Sequence, residues 1–170
     1  MPRRPKVLPL VLALTCLAPL PAAADPIAEG SSGDMTVRAF LATGGRVAAG
    51  SEEGRGALQF DVTRTMKPGE PVRLLLMASG MAVEDQRIEA LCDITMITPD
   101  GKLVDRLREI DCGVAQVESA EAGVYFLNAN ITVVAEEGAQ PGPKIIDIGV
   151  RDTRTDLYVP VSLLAEIVAE

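Results

Sequence analysis

The sequence predicts an all-β fold, an antiparallel β-sandwich closed by one disulfide, and three observations carry that expectation. Apolar and polar residues alternate with the two-residue period of a half-buried strand, most clearly at Leu58, Phe60 and Val62 against Gln59, Asp61 and Thr63. Such runs recur at spacings of about 10 to 15 residues between Gly- and Pro-rich turns, with no amphipathic helical stretch among them. Two cysteines, Cys92 and Cys112, remain after an expected leader is removed.

Residues 1–24 read as a secretory signal peptide. Arg3, Arg4 and Lys6 precede the apolar run Val7 to Leu20, and Ala22, Ala23 and Ala24 supply a small-residue cleavage site before Asp25. The apolar run is about 14 residues, short of the roughly 20 that span a bilayer. Cys16 raises the alternative of a lipid anchor, but Thr15 stands where a lipoprotein signal usually has Gly, Ala or Ser. Export is expected to place the mature chain in the periplasm or outside the cell, with no membrane insertion after leader cleavage. In that oxidising setting Cys92 and Cys112 are expected to pair as a structural bond rather than a redox pair, since they lack CxxC spacing.

Leader removal leaves 13 basic against 24 acidic residues, a formal net charge of −11. That surface repels phosphate backbones and anionic lipid, so nucleic acid and peripheral membrane binding are disfavoured. The remaining 146 residues are one domain's worth of chain.

Taken in order, residues 25–34 form a loose, polar N-terminal arm, and a single sandwich domain fills 35–170. Met35 to Ala42 reads as a first strand, stopped by Thr43-Gly44-Gly45, and Gly50 to Gly56 as a polar loop. After the strand at Leu58 to Thr63, Lys67-Pro68-Gly69-Glu70-Pro71 turns the chain into Val72 to Ala78, a strand buried on much of both faces. Ser79 to Ala90 is a connection, either a helical turn or a loop between sheets.

A hairpin follows, with Cys92, Ile94 and Met96 inward and the Pro99-Asp100-Gly101 turn at its tip. Centring the turn on Asp100-Gly101 places the residue facing Cys92 close to Glu109, about three short of Cys112. Either a bulge or looped second arm absorbs the difference, or Cys112 to Val117 forms a separate neighbouring strand. Val124 to Val134 is too long for one flat strand and should bend near Asn128 and Asn130. Two strands close the chain, Ile146, Ile148 and Val150 alternating in the first and Leu157, Val159, Val161 and Leu163 in the second. Pro160 marks that last strand as an edge or a bulge.

Two phrases add a resemblance. Glu121-Ala122-Gly123-Val124-Tyr125 resembles the acid-x-Gly-x-Tyr turn of immunoglobulin-like domains, and Pro141-Gly142 with the alternating run to Asp152 is similar to the Pro-Gly-led strands of bacterial immunoglobulin-like modules. Leu127 stands where an antibody-type domain has its second cysteine, and tryptophan is absent. The resemblance implies a sandwich, not a function.

The chemistry is mostly negative. The absence of histidine removes Ser-His-Asp and Cys-His catalysis, the usual zinc sites and most copper sites. No Gly-rich phosphate loop follows a strand and opens a helix. Tyr125 and Tyr158 are expected in core packing or a corner hydrogen bond rather than as a sugar platform.

Three weak constellations compete with ordinary structural roles. Asp147, Asp152 and Asp156 could gather calcium but lack the Asp-x-Asp-x-Asp-Gly spacing, and Arg154 invites a salt bridge instead. Met77 and Met81 carry thioethers suited to Cu(I), or simply fill core gaps. Glu84, Asp85 and Glu89 contain a carboxylate pair of the glycosidase kind, or make a solvated charged loop. The structural roles are preferred, so no catalytic, cofactor or metal residue is assigned. The expected function is a non-catalytic interaction or structural module of the cell envelope, binding an unidentified protein partner through loops or a strand edge. The alternative is a small-ligand-binding accessory protein, its ligand held between sheet ends near Ser79 to Ile88 and Asn128 to Asn130.

Overall fold

The computed structural model describes residues 27–48, 57–114, 117, 123–128 and 131–169. The leader with Cys16, residues 25–26 of the arm, the Gly50 to Gly56 loop, Glu121-Ala122 and Asn130 lie outside them. Every regular element described is a strand: β1 (Ile27–Ser32), β2 (Met35–Ala48), β3 (Ala57–Thr63), β4 (Thr65–Met66), β5 (Pro71–Ser79), β6 (Ala90–Ile97), β7 (Leu103–Asp111), β8 (Val124–Phe126), β9 (Ile131–Val134), β10 (Gly142–Asp152) and β11 (Tyr158–Ile167).

The strands form two sheets. In the first, β2 pairs β1 along Met35–Phe40 and β3 along Leu41–Ala48, so β1 and β3 share one flank. β5 pairs the other flank of β2 and carries β8 and β9 end to end on its own far side. The second sheet has the order β4-β11-β10-β6-β7, antiparallel except where β4 meets β11. Alternation decides what each strand buries. Val72, Leu74, Leu76 and Ala78 of β5 and Ile146, Ile148 and Val150 of β10 are at most 2% exposed, and both sets belong to the one core between the sheets. The all-β class, the antiparallel pairing and the disulfide between Cys92 and Cys112 are as the sequence led us to expect.

Several local expectations need correction. Residues 27–32, expected in a loose arm, form β1; Gly33, at φ +56°, reverses the chain so that Ile27 pairs Phe40 and Ser32 pairs Met35. Thr43-Gly44-Gly45 does not stop its strand. It is a register shift inside β2, and pairing with β3 resumes at Gly45. The 79–90 connection contains a tight hairpin turn, with Glu84 and Arg87 exchanging backbone hydrogen bonds and Asp85 and Gln86 at φ +50° and +60°. Asp and Gln are weak signals for a turn that Asn-Gly would have announced. Tyr125 is buried at 9% exposure, but Tyr158 is 49% exposed and its ring covers the open face of Gly149.

The central hairpin is a bulged one. Gly101, at φ +84°, closes the Thr98–Lys102 turn, and two one-residue register shifts bring Ile110 opposite Cys92. Cys112 lies two residues on, its amide bonded to the Ala90 carbonyl at 3.0 Å, so the disulfide runs diagonally across the hairpin's open end. Pro160 falls where β11 has β10 on one side and β4 pairs only Glu166 and Ile167, as its missing donor requires.

Candidate functional site

Several of the residues singled out from sequence make bonds within the fold. Cys92 and Cys112 are bonded to each other and fully buried. Asp147 lies on the outer face of β10 and accepts the Ser162 hydroxyl at 2.6 Å. Asp152 lies on the opposite face, wholly buried. Its Oδ2 accepts the Ala82 amide at 2.8 Å and its Oδ1 the amides of Arg154 and Thr155 at 2.9 and 3.3 Å, which ties the β10–β11 turn to the 80–89 segment. Asp156 is exposed in that turn at φ +56°. The three carboxylates therefore do not converge, and among the described residues no group of three or more His, Cys, Asp or Glu could hold a metal ion.

Met81 is buried at 7% exposure, whereas Met77 belongs to the opposite face of β5, registered with Arg38 and Phe126. Glu84 and Glu89 both ion-pair with Arg154, the second at 3.0 Å, so a cation clasps the charged loop. At the sheet end expected for a ligand, Ile88, Gly113 and Asn128 surround only a shallow recess of about 430 Å³.

A larger opening lies elsewhere. β7 is the last strand of the second sheet, and every residue in it except Ile110 is exposed. Leu107 pairs with Ile94 and shares its inward face, yet Leu107 is 41% exposed and Ile94 only 6%. The first sheet thus stops short of β7. The strand of the first sheet that lines the same opening, β9, pairs β5 alone and has no strand on its far side among the described residues.

Between these two free edges runs a cleft of about 620 Å³ floored by Ile94, Met96, Ile131, Val133, Ile146 and Ile167. Its charged residues are Lys102, Arg106 and Lys144 against Asp105 and Glu136. Lys144 occupies an inward position on β10, in phase with Ile146 and Ile148. It is 8% exposed, and among the described residues its Nζ donates only to the Gln140 carbonyl, at 3.4 Å.

Sequence reasoning missed this cleft. One signal was available: extending the Ile146, Ile148, Val150 alternation back by two residues places Lys144 inside. A lysine is rarely buried unless it has a partner. Leu107 gave no comparable signal, because Asp105 precedes it on the same face and a register shift follows it.

No protein-family model matches the chain, and no curated protein matches it significantly.

Proposed function

We propose that this chain is an exported, non-catalytic interaction module of the cell envelope, an immunoglobulin-like β-sandwich, which takes an extended strand of a protein partner into the cleft between β7 and β9. One observation carries the reading: among the described residues, no strand of the first sheet covers the inward-facing Leu107 of β7, and the far edge of β9 beside it is unpaired. A strand added to β9 would satisfy its free backbone groups and bury Leu107 in the same step. The buried disulfide is in keeping with an oxidising compartment. The cleft's volume alone favours a second reading, a small-ligand-binding accessory protein, since about 300 to 1,000 Å³ is usual for small-molecule pockets.

A photo-crosslinking residue at Leu107, compared with one at Leu164, tests the proposal. Leu164 is as exposed (44%) but lies on the outer face of the second sheet, away from the cleft. In the native envelope, a discrete protein adduct is expected from position 107 and not from 164. Equal adducts at both positions, or none at 107, would overturn it.

A further inference from the structure

We propose that the strand entering the cleft carries a carboxylate that pairs with Lys144, an inference that rests on the strand-docking reading above. An ammonium group withdrawn from water needs an opposite charge or a full set of acceptors to offset its desolvation. Lys144 is 8% exposed and has three N–H donors. Among the described residues one of them finds a partner, in a 3.4 Å bond to the carbonyl of Gln140, four residues before it. Among the described residues no carboxylate comes within ion-pair distance of it, although Glu136 lines the same cleft.

The wider charge pattern points the same way. The chain has 24 acidic residues against 16 basic, yet Lys102 and Lys144 line the cleft in equal number with Asp105 and Glu136, Arg106 lying opposite Thr95 on the outer side of the sheet. A groove less acidic than the chain around it opposes an anionic group less than the rest of the surface does. The apolar floor sets the rest of the chemistry. Side chains flanking the carboxylate should be Val, Ile or Leu, packing on Ile131, Ile146 and Leu107 as alternate residues of an extended segment point inward. A buried carboxylate would convert an under-satisfied ammonium into a charge-assisted pair. Its source is either an Asp or Glu side chain or the free C-terminus of the partner strand.

β11 ends at Ile167, which itself lines the cleft, so a test strand can be delivered in cis. A flexible Gly/Ser linker after Glu170 would carry a segment of about nine alternating Val and Thr residues at high effective concentration. Three fusions of the full chain are compared: a central Glu with an amidated C-terminus, a central Gln with an amidated C-terminus, and a central Gln with a free C-terminal carboxylate placed level with Lys144. Docking is read as slowed hydrogen exchange of the β9 amides. At least one carboxylate-bearing fusion should protect them about tenfold more than the Gln amide, and which one does so identifies the source.

Lys144→Met should abolish that difference and Lys144→Arg preserve it, with thermal unfolding of the unfused variants confirming that each folds. Equal protection by all three fusions would overturn the carboxylate while leaving strand docking intact. No protection from any of them would overturn both. If decanoate alone protects β9, dependent on Lys144, the occupant is a small amphipathic acid and the strand is wrong.

Discussion

The carboxylate of Asp93 accepts the backbone amide of Glu109 at 2.9 Å, across the hairpin that the disulfide closes. Glu109 sits at φ +50° inside the first register shift, which brings Ile110 rather than Glu109 opposite Cys92. A left-handed backbone costs an ordinary L-residue about 1 kcal/mol, and Asp93 offsets part of that by capping the bulge. Glu109→Gly should therefore raise stability by about 0.5–1 kcal/mol, and Asp93→Ala should lower it by about 1 kcal/mol. Urea unfolding of the two variants checks both signs. A Glu109→Gly variant less stable than the parent would remove the claim that strain is held there.

The bond between Cys92 and Cys112 closes a loop with a sequence separation of 20. In the chain-entropy account such a loop is worth about 3 kcal/mol. Because both residues are fully buried, a double Cys→Ala variant should also lose packing. A total loss of about 3–4 kcal/mol is expected by chemical denaturation. A loss under about 1 kcal/mol would mean that the bulged hairpin is set by its backbone alone.

Much of this fold was legible because alternation, turn residues and cysteine count are local signals. Leu58, Phe60 and Val62 marked β3, Pro99-Asp100-Gly101 marked the turn between β6 and β7, and Pro160 marked a stretch of β11 that, among the described residues, is paired on one side only. What escaped depended on partners distant in sequence. β1 exists because Ile27–Ser32 fold back on β2 and pack near β11, where a side chain at Gly30 would collide with Pro160. Tyr158 reads as core by composition, yet it covers a glycine on an outer face. The cleft was least legible of all, since it is made by the absence of a described strand opposite β7, and sequence periodicity reports only strands that are present.

Asp152 holds backbone together, where the sequence weighed a calcium ligand against a salt bridge to Arg154 and preferred the second. It is fully buried, and three backbone amides from two segments converge on its carboxylate. Replacing it with Ala would leave those donors unpaired in the interior. Hydrogen bonds to a charged acceptor contribute about 1.5–3 kcal/mol each, with partial relaxation, so a loss of about 3–4 kcal/mol is expected. Calcium should leave the melting temperature of the parent unchanged; a Ca²⁺-dependent rise lost in Asp152→Ala would contradict this role.

At the hairpin tip, the Thr98 hydroxyl donates to Asp100 and, with help from the amides of Asp100 and Lys102 and the Lys102 charge, holds its carboxyl below the usual carboxylate range despite full exposure. The folded value is depressed, so the linked stability is fully present above the ordinary aspartate range. It is lost as pH falls through that range to the folded value. Carbon-detected NMR titration should show Asp100 titrating below the ordinary aspartate range. Thr98→Val should move it back towards that range. An unchanged midpoint in Thr98→Val would assign the shift to the backbone amides and Lys102 instead.

Leu107 and Leu163 separate what the fold needs from what a partner needs. Leu163, on the inward face of β11, is 2% exposed, and truncation to Ala should cost about 2–5 kcal/mol through lost burial and the cavity left behind. Leu107 is 41% exposed on β7 and faces the cleft, so Leu107→Ala should cost less than about 1 kcal/mol. If the cleft receives a strand, the same Leu107→Ala change should weaken docking of the fused segment by about fivefold or more, because the apolar area at that position is buried only on binding. Measuring both quantities on one variant decides between the two roles. A large stability loss at Leu107 would mean that β7 is already covered, and an unchanged stability with unchanged docking would move the working surface away from β7.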